Sequence, residues 1–408
     1  MQNRTNKISF LKRLICAGLI AVAVGFSAPL SPAVVLVIID GARYSETLGD
    51  GLGRFTPRMH ALAAQGVVAN NFYNDLYTYT SRAIPAIWSG SWVIPRDTTV
   101  NGRDTQYTLV PSVWEYFRKA TGYEKTQAFY LIKYLTSPWL PSYHPDYGPA
   151  YWPEYIVEGS NDAAVCAIAW QKLQTFHPRL AVVYLADVDH AGHSGEWNTY
   201  VNAISMADNL VGALWDSLQN NAYFRGQTTL LVTNDHGRHV DGVASGFAGH
   251  GCGCEGCRHI MFFGLGPGVK KATQIATQYR IPDITPTIGA LLDFSTPLVE
   301  GQVMADLLDE SVSVTTGVKF CSSYALLGNY PNPCNPLTRI RYFLPVPENV
   351  RLTMTAINGH YAQTLVADRQ AAGYHEISWD ASQVSSGVYF YTLQAGKYQA
   401  IGKCVVLK

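Results

Sequence analysis

Val34-Val35-Leu36-Val37-Ile38-Ile39-Asp40-Gly41 is the stretch that decides the fold. Six consecutive apolar residues leave no polar face, which suits a strand covered on both sides, as in a parallel sheet. The run stops at a carboxylate, and open α/β sheets build their sites beyond the carboxyl ends of such strands. Three more runs repeat the pattern. Leu180–Leu185 ends near Asp187 and Asp189, Thr229–Thr233 ends in Asn234-Asp235-His236, and His259–Leu265 ends in Gly-Pro-Gly. Helical patterns lie between them: Pro111–Ala120, and Val201–Leu218 with Ile204, Ala207, Val211, Leu214 and Leu218 at helical spacing. Strands alternating with helices predict an α/β, doubly wound fold in which all four runs are buried parallel strands.

The chain has 408 residues, enough for two or three domains. With 48% apolar and 15% charged residues it can bury a large core, which excludes global disorder. Its 35 Gly and 21 Pro follow no period, which excludes a collagen-like chain. The formal charge is zero, so no basic surface for nucleic acid is indicated. Residues 1–33 carry Arg4, Lys7, Lys12 and Arg13 and no acid, and without them 26 basic residues face 30 acidic ones. A basic start, an apolar run Leu14–Phe26 and small residues after it read as a secretory signal peptide. That run is too short to span a bilayer, and no other stretch approaches 18 apolar residues, so no transmembrane helix is expected in the mature chain.

Residues 34–310 form the α/β unit on this reading, and 311–327, rich in Ser, Thr, Val and Gly at its start, a linker. Residues 328–408 read as a small β-sandwich. Arg339–Leu344, Arg351–Ile357, His375–Trp379, Gly387–Ala395 and Gln399–Val406 are its candidate strands.

Six of the 11 histidines fall between His190 and His259, next to acids just past strand ends. Carboxylates and imidazoles together suit zinc or manganese better than calcium. Asp40 after the first strand, a Thr or Ser some 40 residues on, Asp189-His-Ala-Gly-His193, Asp235-His236-Gly and Gly249-His250-Gly stand in one order. In that order they resemble the signature of the alkaline phosphatase superfamily, over about Val34 to Leu308. This group includes nucleotide pyrophosphatase/phosphodiesterases, phosphoethanolamine transferases and sulfatases. The resemblance implies two divalent cations, with Asp40, Asp235 and His236 on one and Asp189, His193 and His250 on the other. It also implies Thr80, ten residues before Gly90, as a nucleophile that touches one metal.

The bare alternative makes Thr80 only a helix N-cap. Formylglycine-type sulfatase chemistry is disfavoured, because Thr80-Ser81-Arg82-Ala83-Ile84 has neither a convertible Cys or Ser at the first position nor the expected Pro. Where the phosphodiesterase branch commonly has Asn there is Ala83, so Arg82 is the candidate phosphate contact. His144, His190, His239 and His259 are unmatched and read as supporting or structural. The aromatic stretch Tyr130–Tyr155 reads either as a pocket wall or as ordinary loop packing.

Asn329-Tyr-Pro-Asn-Pro-Cys, Gly373-Tyr-His-Glu-Ile-Ser-Trp-Asp, Ser386-Gly-Val-Tyr-Phe-Tyr and the terminal Val-Val-Leu-Lys resemble the C-terminal sorting domain of the type IX secretion system. This implies an immunoglobulin-like sandwich, and export across the outer membrane of a Bacteroidetes-like bacterium, to the surface or medium, with the secretion machinery as partner. Cys334 and Cys404 depart from that pattern, which leads to a hypothesised Cys334–Cys404 disulfide. Cys252, Cys254 and Cys257 could form a zinc knuckle with His259, but an oxidising compartment favours a disulfide such as Cys254–Cys257. Cys166 reads as a buried thiol. The overall expectation is an exported two-metal phosphohydrolase acting on phosphodiesters or nucleotides through a covalent phosphothreonine. The alternatives are a phosphomonoesterase, a phosphoethanolamine-type transferase, or a surface binding protein without chemistry.

Overall fold

A computed structural model describes residues 33–100, 102–133, 139–310, 312, 324–330, 332–344, 346–357, 359, 361–370 and 373–408. The expected signal segment lies outside the described residues except for Ala33, and most of the expected linker lies outside them too. Ala33 already belongs to the first strand, where it is buried.

The central sheet has eight strands: β1 Ala33–Ile39, β2 Val67–Ala69, β3 Ala128–Ile132, β4 Glu154–Val157, β5 Leu180–Leu185, β6 Thr228–Asn234, β7 Phe262–Leu265 and β8 Thr273–Ile275. Their spatial order is β8-β2-β7-β6-β1-β5-β3-β4. Five neighbours, from β6 to β4, run parallel. The expectation for His259–Leu265 is corrected. The run splits at Met261 into His259–Ile260 and β7, and β7 pairs antiparallel with β6. Continuous apolarity reports burial on both faces and carries no information about direction, so it could not separate the two cases.

Alternation along β1 divides the core in two. Val34, Leu36 and Ile38 pack into one apolar cluster with Trp88, Trp114 and Tyr130, while Val35, Val37 and Ile39 pack into the other with Tyr200, Ile204 and Val211. Each such burial is worth about 1.5–3 kcal/mol, so β1 ties the two core clusters together. The faces are covered by helices including α1 Pro57–Ala63, α2 Thr80–Ser89, α3 Val113–Thr121, α4 Asp162–Phe176, α5 Asp187–His193, α6 Trp197–Asn220 and α7 Ile284–Leu292. The start of α3 is set by a capping box: Ser112 and Glu115 each accept from the other's backbone N–H. No helix among the described residues is long and apolar enough to cross a membrane.

The C-terminal region is an antiparallel β-sandwich. One sheet holds β9 Ala325–Tyr330, β10 Leu337–Leu344 and β13 Gly373–Asp380; the other holds β11 Glu348–Ala356, β12 Ala362–Gln370, β14 Gly387–Ala395 and β15 Tyr398–Val406. Ile340, Tyr342, Leu352, Met354, Trp379 and Leu393 fill the space between them. The strands β9 and β12 add to the five expected from sequence. Cys334 and Cys404 sit in this core with their sulfurs 3.7 Å apart, in contact and unbonded.

Candidate functional site

Register brings the chemistry together. In the sheet Ile39 lies level with Asn234 on one side and with Leu185 on the other. The residues that follow these three strand ends therefore emerge at one edge: Asp40 from β1, Asp235 and His236 from β6, and Asp189 and His193 from α5 after β5. Gly41 turns the chain away at φ +69°, and a Cβ there would stand 2.5 Å from Asp189 Oδ1, so this close approach needs glycine.

Two donor groups result. In the first, His236 Nε2 lies 3.4 Å from Asp40 Oδ1 and 3.5 Å from Asp235 Oδ2. In the second, His193 Nε2 lies 3.2 Å from Asp189 Oδ2 and 3.1 Å from His250 Nε2, and His250 Nε2 lies 3.6 Å from Asp189 Oδ1. His236 stacks on His250 with ring centroids 3.9 Å apart, so the two groups adjoin. His236 Nδ1 and His250 Nδ1 face the carbonyls of Gly237 and Thr78, which leaves each Nε2 as the inward donor atom.

The electrostatics fit cations at both places. Asp40, Asp235 and His236 are buried, and Asp235 Oδ2 has no hydrogen-bond partner. Burial, then the charges of Asp235 and Asp189, hold the Asp40 carboxyl well above the usual carboxylate range. Burial, then Asp189, pushes Asp235 up to about 7. Burial would raise Asp189 too, but His236, Arg238, His250 and His193 outweigh it and hold it low. Burial and the neighbouring His236 lower His250 to about 4, favouring the neutral imidazole that a metal needs. A buried acid cluster with an orphaned oxygen, ringed by imidazoles, is short of positive charge. Divalent cations on this mixed oxygen and nitrogen donor set would meet that need.

Thr80 opens α2 and points into the first group. Its Oγ1 lies 3.0 Å from His236 Nε2 and 3.4 Å from Asp40 Oδ1. The N-cap position belongs to Tyr79, and Thr80 makes no capping bond, so the N-cap alternative is overturned. Arg82 sits on the first turn of the same helix, half-buried and in no ion pair among the described residues.

These strand-end sites coincide with a sequence match: residues 34–239 fit the family model for type I phosphodiesterase/nucleotide pyrophosphatase. The chain belongs to this family. Residues 329–407 fit the secretion system C-terminal sorting domain, which marks this phosphodiesterase-family chain for export to the cell surface or medium through the type IX machinery. Among solved structures, murine ectonucleotide pyrophosphatase/phosphodiesterase 5 shares 15% identity and a TM-score of 0.51, over 68% of this chain and 100% of that one. An inactive variant of the same murine protein, in complex with AMP, gives a TM-score of 0.50 at 15% identity over 68% of this chain and 100% of that one. The 2-O GAG sulfatase BT1596 gives 0.52 at 13% identity, over 86% of this chain and 85% of that one. At such identities the likeness is one of fold. No curated protein matches the chain in sequence.

The candidate site has supports that the sequence did not single out. Arg238 is fully buried and donates Nη1 to Asp189 Oδ1 and Nε to the Phe247 carbonyl. Tyr184 donates its hydroxyl to Asp40 Oδ2. Asn74 donates to the Asp235 carbonyl at 2.9 Å. Arg238 stands three residues past Asp235, a signal that a reading centred on ligands passes over.

The other candidates are placed as follows. His259 lies between Tyr44 and Tyr73, with centroids 3.9 and 4.8 Å away, and faces the Asn70 carbonyl. It is therefore not the histidine of the cysteine cluster. His239 faces Cys252 and Cys257, whereas His144 packs on Tyr147 and His190 is exposed. The described rings of the aromatic stretch pack locally: Tyr130 and Tyr155 against each other, Tyr143 on Trp152, and Tyr147 on Tyr116. Tyr134 lies outside the described residues. All six described cysteines are free thiols, so the expected Cys254–Cys257 bridge is not formed, and Cys166 is a half-buried thiol pushed up to about 12 by burial.

Proposed function

We propose that the chain is an exported two-metal phosphohydrolase that cleaves phosphodiesters or nucleotides through a covalent phosphothreonine at Thr80. The observation that carries this is the position of Thr80 Oγ1, at the head of α2 and within 3.4 Å of both Asp40 and His236. Family membership supports the reaction class, and the AMP bound to the murine protein of similar fold supports a nucleotide substrate.

Asp40, Asp235 and His236 would hold one cation, and Asp189, His193 and His250 the other, zinc or manganese. Two such cations supply positive charge to phosphoryl oxygens and make hydroxyl groups and water easier to deprotonate. Thr80 attacks phosphorus: the Oγ1–P bond forms, the hydroxyl proton passes to solvent, and the bond to the leaving oxygen breaks, that oxygen taking up a proton. Water then attacks, the Oγ1–P bond breaks, and Thr80 regains its proton. Thr80 and Ser81 open the helix, where the first N–H groups have no intrahelical partner, and such N–H groups would suit a transferred phosphoryl group. Tyr184 and Arg238 hold Asp40 and Asp189 in place, and Arg82, on the first turn of α2, would contact a phosphate oxygen.

Hydrolysis of nitrophenyl phosphate monoester, phosphate diester and sulfate with zinc or manganese, for wild type and Thr80→Ala, tests the reading. Diester cleavage lost in the variant supports it. A monoester preference selects the phosphatase alternative, and sulfate cleavage alone overturns the nucleophile assignment. Silence on all three esters with two metals bound selects a transferase; silence without metals selects the binding protein.

A further inference from the structure

We propose a third metal site, a structural zinc held by His239, Cys252, Cys254 and Cys257. It does not depend on the hydrolase reading. The four donor atoms lie within 4.8 Å of one another. His239 Nδ1 stands 3.0 Å from Cys252 Sγ, 3.3 Å from Cys257 Sγ and 4.0 Å from Cys254 Sγ, and Cys252 Sγ stands 3.7 Å from Cys257 Sγ. A tetrahedral zinc with its ordinary bond lengths to sulfur and nitrogen sets sulfur–sulfur edges of roughly 3.8 Å and sulfur–nitrogen edges of roughly 3.6 Å. The observed sulfur–nitrogen spacings bracket their value, and the Cys252–Cys257 sulfur spacing lies within about 0.1 Å of its own. Three thiols and one imidazole are a common structural zinc set, and with four protein donors no position stays open for substrate.

The backbone is shaped for this cluster. A Cβ on Gly237 would come within 2.0 Å of the Gly256 carbonyl, and one on Gly256 within 2.5 Å of the Arg238 carbonyl. Two glycines thus let the His239 segment lie directly against the cysteine loop. Gly237 N–H donates to the Cys257 carbonyl and His239 N–H to the Gly249 carbonyl, each at 2.9 Å. Cys254 N–H donates to Cys252 Sγ at 3.3 Å, the kind of bond that supports a metal-bound thiolate. A disulfide would use two of the three sulfurs and leave the third, with the imidazole aimed at it, unexplained.

The position of the cluster gives the zinc a role. It closes the loop from His239 to Cys252, which carries His250 near its end. The Cys252 carbonyl accepts from Thr78 Oγ1 at 3.0 Å, and the Thr78 carbonyl faces His250 Nδ1 at 2.9 Å. The zinc would therefore brace both the His250 loop and the segment leading to Thr80.

The test uses the full chain, purified reduced, stripped with a chelator and titrated with cobalt(II). Thiolate-to-cobalt charge transfer absorbs strongly in the near ultraviolet, and the oxygen and imidazole ligands of the other two sites do not give it. The expected result is that band saturating at one equivalent of thiolate-bound cobalt, and release of one zinc from the zinc form as a mercurial blocks the thiols, whatever the other two sites hold. Cys257→Ser, with one thiolate fewer, should clearly weaken the band and the affinity for cobalt, with the metal bound elsewhere unchanged. Should that variant not fold, the wild-type spectrum and the mercurial titration still decide. Absence of the band at three equivalents, or a disulfide between any two of the three cysteines in the exported protein, overturns the proposal.

Discussion

Replacing Asp235 by Asn should stabilise the metal-free chain while removing its response to metal. Asp235 is fully buried, Oδ2 is without a partner, and burial with the nearby Asp189 pushes its carboxyl from 3.8 to about 7. A raised acid contributes stability that is fully present below about pH 4 and lost as pH rises through about 7. At about 1.4 kcal/mol per tenfold change, the native state at pH 8 carries a cost on the order of 4 kcal/mol from this group. Asn keeps the oxygen that accepts from Gly41 N–H at 3.2 Å and His236 N–H at 2.9 Å, and drops the charge. The assay is thermal melting at pH 8, in chelator and in excess zinc. In chelator the variant should melt above wild type. Zinc at 100 times its Kd should add about 2.7 kcal/mol per site to wild type, and clearly less to the variant. A variant that melts below wild type in chelator, and gains as much from zinc, would refute the reasoning.

Other consequences follow from single contacts. Gly41→Ala forces a side chain into left-handed backbone and 2.5 Å from Asp189 Oδ1, so it should cost about 2 kcal/mol or more and lower metal content, read by melting and metal analysis. Asp283, raised to about 6 by burial, accepts from Arg280 and Gln302 N–H at 2.9 and 2.8 Å. Its contribution is present below about pH 4 and lost through pH 6, so between pH 4 and 7 wild type should lose about 3 kcal/mol relative to Asp283→Asn, and parallel pH profiles would contradict this. Mild oxidation should join Cys334 to Cys404, whose sulfurs are 3.7 Å apart across some 70 residues, and stabilise the sandwich by about 4 kcal/mol, with Cys404→Ala unresponsive.

Much of the site was legible because it grows from strand ends. Val34–Ile39, Leu180–Leu185 and Thr229–Thr233 are so apolar that their ends are unmistakable, and Asp40, Asp189, Asp235 and His236 follow within a few residues. The reverse direction of β7 was illegible, because burial on both faces looks the same either way. The strand β12 was missed because it is largely exposed and lies at a sheet edge, which removes the alternation that marks a half-buried strand. The partner of the cysteine cluster was misjudged for a tertiary reason. His259 is two residues from Cys257, yet the donor comes from His239, delivered by a loop that folds back at Gly249. Arg238 carries a signal, its place three residues past Asp235, but only the folded chain shows it buried against Asp189.

The central claim, that Thr80 is the nucleophile of a two-metal phosphohydrolase, is tested most directly by trapping. The zinc-loaded chain would be mixed with nitrophenyl phosphodiester, quenched in acid during turnover and mapped by peptide mass spectrometry. The account predicts a phosphoryl ester on Thr80 in wild type, and neither adduct nor turnover in Thr80→Ala. Turnover persisting in Thr80→Ala, with Thr80 unmodified in wild type, would contradict it.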